Sequence, residues 1–184
     1  MGLHTSIVRR GFKRHFGATF LQLARQRRVQ MGLRGLSTGD KVIDAQLTAG
    51  FSSPSAFWLA FAQLMGQAPG SLKWDALLKA GCVDTPLDPM LAVADAKIMH
   101  LLEFIDRRAL CGELARLRSR TGAEVGMGHS EPMAQVEAEL VEYSDGKKAQ
   151  FAVALAEHGS SFERAVWADL RAIPAGQTRS YGAI

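Results

Sequence analysis

The chain has 184 residues, of which 47% are hydrophobic and 22% charged, a composition typical of a globular protein with one or two cores. No apolar run approaches the ~18 residues of a membrane span, and nothing near Met1 resembles a signal peptide. The two cysteines, Cys82 and Cys111, lie far apart, which fits a reducing compartment better than a disulfide framework. We therefore expect neither a membrane protein nor a secreted one, and predict a cytoplasmic location.

The net charge of +4 conceals a strong asymmetry along the chain. Residues 1–39 carry eight basic side chains and no acidic one, whereas residues 40–184 carry 14 basic and 18 acidic side chains. Concentrated positive charge favours a polyanionic partner, because neutralising phosphates releases condensed counterions. The alternative is a solvated basic helix face. The eight basic residues are Arg9, Arg10, Lys13, Arg14, Arg25, Arg27, Arg28 and Arg34.

The first stretch of the chain, residues 4–70, is predicted to be entirely helical. Val8, Phe12 and Phe16 recur every four residues and so line one side of a helix that Gly17 ends. A second helix is predicted over 20–33, and Asp40 is expected to cap a short third helix that ends at Gly50-Phe51. Pro54 lies in the first turn of a fourth helix, which runs to Leu64. A helix, a glycine turn and a capped second helix is the layout of a helix-turn-helix DNA reader.

The middle stretch is predicted to contain both strands and helices. Residues 71–89 contain a glycine and two prolines and mark the boundary. Beyond it, "MLAVA" and "IMHLLEF" predict a hairpin, and two helices follow, the first ending at Gly122 and the second covering 133–143. The alternation in "QFAVAL" predicts a half-buried strand that buries Phe151, Val153 and Leu155. This order favours a small α+β unit.

The last stretch predicts one complete helix and the start of another. Ser160 and Glu163 have the spacing of a capping box. The predicted buried side of this helix consists of Phe162, Val166, Trp167 and Leu170. The polar residues 177–180 then precede a second helix start, where unpaired backbone N–H groups favour an anion such as a phosphate.

Residues 2–70, with "FKRHFG", "ARQRRV" and "AGFSSPSAFWLAFAQLMGQAP", resemble the paired helix-turn-helix domain of AraC-type transcription regulators. The resemblance implies DNA contacts from the first recognition helix, with Arg10 reading a guanine edge while Lys13 and Arg14 hold phosphates. Arg9 is a further contact candidate. It also implies that Arg25 and Arg28 support the linker helix through ion pairs. The second helix-turn-helix, called the second reader, has no Lys or Arg from 42 to 72, so sequence-specific reading by this half is in doubt. Its predicted core consists of Phe57, Phe61 and Leu64, whereas Trp58 and Gln63 are expected to face outward.

Residues 85–184, with "TPLDPMLAVADAKIMHLLEF" and "SFERAVWADLRAIPAGQTRSYG", resemble methylated-DNA–protein-cysteine methyltransferases. An AraC-type reader followed by such a region is the order of Ada-type adaptive-response proteins. The resemblance implies that Thr178, Ser180 and Tyr181 approach a backbone phosphate beside a flipped nucleotide. It also implies a chain truncated at both ends, with the family's Pro-Cys-His-Arg acceptor motif beyond Ile184. We therefore predict no catalytic residue, and structural roles for Cys82 and Cys111.

These inferences predict an α+β chain in four parts. An all-α AraC-like helix-turn-helix domain covers 1–72, a linker 73–84, a small α+β domain of ribonuclease-H-like type 85–158, and the first helix of the alkyltransferase DNA-binding domain 159–184. The expected partner is double-stranded DNA, with RNA polymerase a second candidate through the parent regulator. We predict no metal, small-molecule cofactor or membrane partner. The alternatives are a DNA-binding regulator without repair activity and a non-functional fragment.

Overall fold

The computed structural model describes residues 5–183; Met1–His4 and Ile184, which belong to the first and last predicted domains, lie outside the described residues. No helix in the described range is long and apolar enough to span a bilayer. Two short 3-10 turns, Pro69–Ser71 and Tyr181–Ala183, accompany the regular elements. These elements are α1 (Thr5–Phe16), α2 (Phe20–Ser37), α3 (Val42–Thr48), α4 (Pro54–Met65), β1 (Leu78–Val83), β2 (Met90–Ala94), β3 (Met99–Phe104), α5 (Leu110–Thr121), β4 (Val125–Met127), α6 (Glu131–Ser144) and α7 (Ser161–Arg171).

The four predicted N-terminal helices all form, with one error at the start of α3. Gly17 ends α1 with a φ of 69°, and Thr19 begins α2 with a complete capping box to Gln22. The N-cap of α3 is Lys41, which makes no side-chain cap, so the prediction that Asp40 caps this helix is wrong. The reason is local: the Asp40 carboxylate lies back against Gly35, where an added Cβ would stand 2.6 Å from Asp40 Oδ2.

The sheet has four strands in the order β3-β2-β1-β4. The predicted hairpin is confirmed as the antiparallel pair β2 and β3, and β1 pairs antiparallel with β2 on the other side. Strand β4 is parallel to β1, with Leu78 opposite Val125. The α+β class predicted from the sequence is therefore confirmed, while the finer assignment to a ribonuclease-H-like fold stays a prediction.

Strand β1 lies inside the interval 73–84 that we expected to be a linker. Its residues Leu78, Ala80 and Val83 are fully buried, because Leu78 and Ala80 lie in the core on one face of the sheet and Val83 in the core on the other. Gly81 is required there, since a Cβ at this position would be 2.8 Å from the Gly128 carbonyl oxygen. The linker interpretation therefore fails for 78–83, and the remaining domain limits stay predictions.

The two faces of the sheet are covered by different parts of the chain. Leu91 and Val93 of β2 point to one side and share a single hydrophobic core with α2, α4 and α5. Ala92 and Ala94 point to the other side and pack with α6. Because α2 and α4 belong to the helix-turn-helix part, that part and the sheet share one continuous core rather than forming two separate ones.

The segment 149–156 does not form the strand that its alternation predicts. Only Val153 is buried, whereas Phe151 and Leu155 are 44% and 51% exposed. Leu155 makes one isolated bridge to Met99. The reason is that the buried carboxylate of Glu139 accepts hydrogen bonds from the Ala152 and Val153 N–H groups, which removes them from any ladder.

Helix α7 is correctly predicted in its limits and wrongly predicted in its packing. Ser160 and Glu163 form the capping box. None of its residues is buried, however, and Phe162 and Leu170 are 76% and 40% exposed. Trp167 packs on Gly159, where a Cβ would be 2.6 Å from the indole. The apolar side of α7 thus closes partly on its own N-terminal segment rather than on the sheet.

Candidate nucleic-acid interface

Helix α1 separates cationic from aromatic side chains around its axis. At ~100° per residue, Arg9, Lys13, Arg10 and Arg14 span an arc of about 140°. All four are exposed. Phe12 lies outside that arc, with its ring centroid 4.5 Å from that of Phe16 and 5.8 Å from that of Phe20. The aromatic contacts therefore fix α1 at the start of α2 and leave the cationic face open.

The cations of α1 have no acidic partner among the described residues. Arg9 with Lys13, and Arg10 with Arg14, are like-charged pairs at i,i+4, which destabilise an isolated helix by ~0.2–0.5 kcal/mol each. By contrast, three arginines of α5 and α7 reach carboxylates: Arg116 with Glu113 at 2.6 Å, Arg120 with Glu163 at 3.8 Å and Arg171 with Glu157 at 2.9 Å. An unpaired cationic arc retained at a cost to the helix is typical of a surface that binds an anionic partner.

Helix α2 is anchored to the turn between α3 and α4, but not through the predicted ion pairs. Arg28 donates a hydrogen bond to the Gly50 carbonyl at 3.4 Å, and its guanidinium lies 5.1 Å from the centroid of the Phe51 ring. Neither Arg25 nor Arg28 forms an ion pair with a described residue. The supporting role predicted for Arg28 is therefore filled by a carbonyl and an aromatic ring.

The second reader helix, α4, has the predicted division into core and surface. Phe57 and Phe61 are fully buried and their rings lie 5.9 Å apart. Trp58 is 42% exposed and Gln63 is exposed. Because α4 carries no cation, it has apolar and amide groups for base contacts but little attraction to phosphates.

The three C-terminal candidates lie together in the turn after α7. Thr178, Ser180 and Tyr181 are all exposed, and the Tyr181 side chain is 86% exposed. The turn is shaped by Gly176, whose φ is 81°, and by a hydrogen bond from the Gln177 N–H to the Pro174 carbonyl at 3.0 Å. These residues therefore share one exposed loop, on a different element from the cations of α1, and their role in DNA contact stays a prediction.

Cys82 is poorly suited to act as a nucleophile where the structure places it. Burial raises the pKa of Cys82 to about 12, with the Arg34 charge opposing this rise. The Cys82 thiol faces the Gln30 carbonyl oxygen at 3.9 Å. Cys111 is partly buried in the first turn of α5. Because the thiolate is the reactive form, Cys82 is almost entirely unreactive at neutral pH.

A histidine pair that the sequence did not reveal joins β3 to the segment before α7. His100 Nδ1 lies 2.6 Å from His158 Nε2, and His100 Nε2 lies 3.1 Å from the Asp95 carboxylate. Burial, then the charges of His100 and Arg120, lower the pKa of His158. Within residues 5–183, no group of three or more His, Cys, Asp or Glu is arranged to hold a metal ion.

Comparison with known proteins finds separate similarities for the two parts of the chain. Residues 1–73 match the family model described as "Helix-turn-helix domain". A segment of 103 residues is 31% identical to the methylated-DNA–protein-cysteine methyltransferase of Methanosarcina mazei, and 102 residues are 28% identical to that of Mycobacterium leprae. The chain has an Ada-like architecture. The helix-turn-helix domain is of AraC type and precedes the methyltransferase-like region.

The Ada-like chain matches only part of each methyltransferase. The matched segments cover 55% of this chain, and 59% and 56% of the M. mazei and M. leprae proteins respectively. A crystal structure of the O6-methylguanine methyltransferase of Mycobacterium tuberculosis is 25% identical, with a TM-score of 0.45, over 57% of this chain and 58% of that one. The chain thus spans a little over half the length of the relatives it matches.

Proposed function

We propose that this chain binds double-stranded DNA through the cationic face of α1, as the reader of a regulator fused to a DNA repair methyltransferase. The observation that carries the proposal is the exposed arc of Arg9, Arg10, Lys13 and Arg14, which has no acidic partner among the described residues. The match of residues 1–73 to a helix-turn-helix family supports the same reading.

Two kinds of contact are proposed for the α1 arc. The guanidinium of Arg10 is suited to read the O6 and N7 edge of a guanine in the major groove, a contact worth ~1–3 kcal/mol of discrimination. Lys13 and Arg14 hold backbone phosphates, which set affinity and its salt dependence rather than sequence preference. Helix α4 is proposed to contribute contacts through Trp58 and Gln63 without phosphate attraction.

The turn after α7 is proposed as a second DNA contact, used when a damaged nucleotide is turned out of the duplex. Thr178, Ser180 and Tyr181 are exposed together there, beside the N-terminal end of the 3-10 turn Tyr181–Ala183. Turning out a base costs ~a few kcal/mol, and less for a poorly paired one. Groups that press on the neighbouring phosphate can offset part of this cost.

The repair reaction proposed for the complete protein is a stoichiometric transfer from O6-alkylguanine to a cysteine. A thiolate forms a bond to the alkyl carbon, the bond from that carbon to O6 breaks, and the guanine accepts a proton as it leaves. Cys82 is disfavoured as the source of this thiolate, because burial raises its pKa to about 12. We propose that neither Cys82 nor Cys111 is the acceptor.

DNA binding is tested by fluorescence anisotropy with a labelled duplex at increasing salt. We expect binding whose logarithmic affinity falls linearly with the logarithm of salt concentration. Arg10→Gln should weaken binding, whereas Arg116→Gln, which removes an exposed cation of α5 that is already paired with Glu113, should not. Absence of binding by the unaltered chain at low salt would refute the proposal.

The repair proposal needs its own readout. Incubation with a duplex containing O6-methylguanine should leave the protein mass unchanged, because the chain's own thiols do not react. A methyl added to Cys82 or Cys111 would refute the assignment of both as structural. Equal affinity of the chain for alkylated and unmodified duplexes would favour a regulator without repair activity. A cytoplasmic location and contact with RNA polymerase are further parts of the proposal, because both follow from the proposed role as a DNA-binding regulator.

A further inference from the structure

A cleft of about 580 Å³ lies where the helix-turn-helix part meets the methyltransferase-like part. The first part contributes the end of α1, one side of α2 and the outer side of α4. The second part contributes the segment between β3 and α5, Ile105–Arg108, and the first turn of α5. The cleft is therefore built by both parts of the chain.

The cleft concentrates positive charge from both of its walls. Arg25 comes from α2, and Arg107 and Arg108 come from the β3–α5 segment, against one carboxylate, Asp106. Arg107 is paired with Glu103. Arg25 and Arg108 form no ion pair or side-chain hydrogen bond with a described residue. Two guanidinium groups are thus left open to an anion.

The lining of the cleft also includes one polar atom that lacks a partner. The Oε1 atom of Gln26, which lines it, is buried and has no hydrogen-bond partner in the protein. A buried polar atom without a partner is expected to contact water or a polar ligand.

The cleft adjoins the cationic arc of α1. Phe16 and Gly17, at the end of α1, form part of its wall. Lys13 precedes Phe16 by three residues, which is ~4.5 Å along the helix axis and ~60° around it. The arc formed by Arg9, Lys13, Arg10 and Arg14 thus begins within one helical turn of the cleft wall.

We propose that this cleft binds a backbone phosphate of the same duplex that α1 binds, with Arg25 and Arg108 as the phosphate ligands. The proposal rests on DNA binding by α1 and adds a contact from the methyltransferase-like part. A guanidinium donates two parallel N–H groups to phosphate oxygens, which suits an arginine pair better than lysines for this role. DNA also presents about one negative charge per 1.7 Å of helix axis, so a track of cations along its surface finds successive partners.

The test compares four forms of the whole chain in salt titrations with a labelled duplex: the unaltered chain, Arg25→Gln/Arg108→Gln, Arg10→Gln and Arg116→Gln. Each lost phosphate contact should lower the slope of log affinity against log salt by ~0.9. We expect the magnitude of this slope to be smaller by up to about 1.8 in the double variant. For each of the two lost contacts, the affinity for duplex at 0.1 M salt should fall roughly two- to fivefold. Arg116→Gln removes an exposed cation of α5 and should change neither quantity.

The outcomes separate this proposal from the function on which it rests. If Arg10→Gln weakens binding while the double variant keeps the slope and affinity of the unaltered chain, the cleft proposal is overturned and DNA binding by α1 stands. If the unaltered chain does not bind duplex, the proposed function itself fails. Inorganic phosphate that binds the cleft without competing with duplex would point to a small anionic ligand and would also overturn the proposal. Circular dichroism melting curves check that every variant is folded.

Discussion

The close approach of α2 to α4 gives a sharp test of how the helix-turn-helix part is packed. Gly32 lies in the middle of α2, and a Cβ there would stand 2.5 Å from Cε2 and 3.0 Å from Cζ of Phe57. The Phe57 ring is fully buried and lies 5.4 Å from the Phe51 ring and 5.9 Å from the Phe61 ring, measured between centroids. It therefore has aromatic neighbours on two sides and little room to move away.

The expected magnitude for Gly32→Ala is the difference between two opposing effects. Replacing Gly by Ala in a helix interior stabilises by ~0.5–1 kcal/mol. Forcing a methyl group into a packed core costs ~1–3 kcal/mol. We expect a net loss of about 1–2 kcal/mol in the free energy of unfolding, or roughly 3–6 °C in Tm for a chain of this size.

Gly112→Ala is the matched control, because the same exchange occurs in the first turn of α5 with only Arg116 Nη1 near, at 3.9 Å. It should leave the stability unchanged or raise it by at most ~0.5–1 kcal/mol. Urea unfolding followed by far-UV circular dichroism measures both variants. Adding Phe57→Leu to Gly32→Ala should recover part of the loss, with a coupling above ~0.5 kcal/mol. If Gly32→Ala is as stable as Gly112→Ala, or if the coupling is absent, the described packing of Phe57 on α2 is wrong.

Three further predictions concern single side chains. Cys82 in the folded protein should react with iodoacetamide far more slowly at pH 8 than in urea, because burial raises its pKa to about 12; equal rates would contradict this. Glu139→Gln should cost about 1–3 kcal/mol of stability, since the amide of Gln cannot accept as many N–H groups. Burial opposes ionisation of Glu139, but hydrogen bonds from Lys148, Gln135 and backbone N–H groups lower its pKa. The stability difference between the unaltered protein and Glu139→Gln should therefore shrink as pH falls below about 4, where the carboxylate becomes protonated. Because the pKa of His158 is lowered in the folded protein, its contribution to the free energy of unfolding is full above the ordinary pKa of about 6.5 and is lost as pH falls through the lowered value. His158→Asn should therefore reduce the dependence of the unfolding free energy on pH between pH 7 and 5. An unchanged dependence on pH would contradict the lowered pKa.

The helices could be predicted from the sequence because their signals are local. The spacing of Val8, Phe12 and Phe16, the Ser160 and Glu163 capping box and the Gly122 stop each act within a turn or two of the chain. All three are present in the structure. The hairpin of β2 and β3 was equally accessible, since β2 is buried on both faces and therefore reads as a continuous apolar run.

The elements that were missed depend on partners distant in sequence. "LKAGCV" contains a glycine and a lysine and becomes β1 only because β2 and β4 flank it. The segment around Val153 has a strand pattern, but Glu139, 13 and 14 residues earlier, takes the N–H groups of Ala152 and Val153. The local pattern of apolar residues indicates neither the strand pairing of β1 nor the hydrogen bonds that Glu139 takes from the segment around Val153.

In the candidate interface, too, the features that depend on composition could be predicted from the sequence, whereas contacts between distant residues could not. The cations of α1 could be identified from charge asymmetry alone, because no acidic residue occurs before Asp40. The contact between His100 and His158 joins residues 58 positions apart, and the cleft joins Arg25 to Arg108. Neither spacing matches any motif. These sites arise from how α2 lies against the sheet, which only the three-dimensional structure gives.

The junction between the two parts of the chain has a mechanical consequence for DNA binding. Gln67 donates a hydrogen bond to the Val125 carbonyl at 2.7 Å, and Arg118 donates one to the Met65 carbonyl at 2.7 Å. Together with the ion pair of Arg34 and Asp84, these contacts surround a core in which Leu33 of α2 and Leu78 of β1 are both buried. Rotating the reader away from the sheet would expose that core, at ~25 cal/mol for each Å² of apolar surface. The reader and the sheet are therefore expected to dock on DNA as one body, so that the position of α1 in a groove also fixes where the β3–α5 segment meets the backbone.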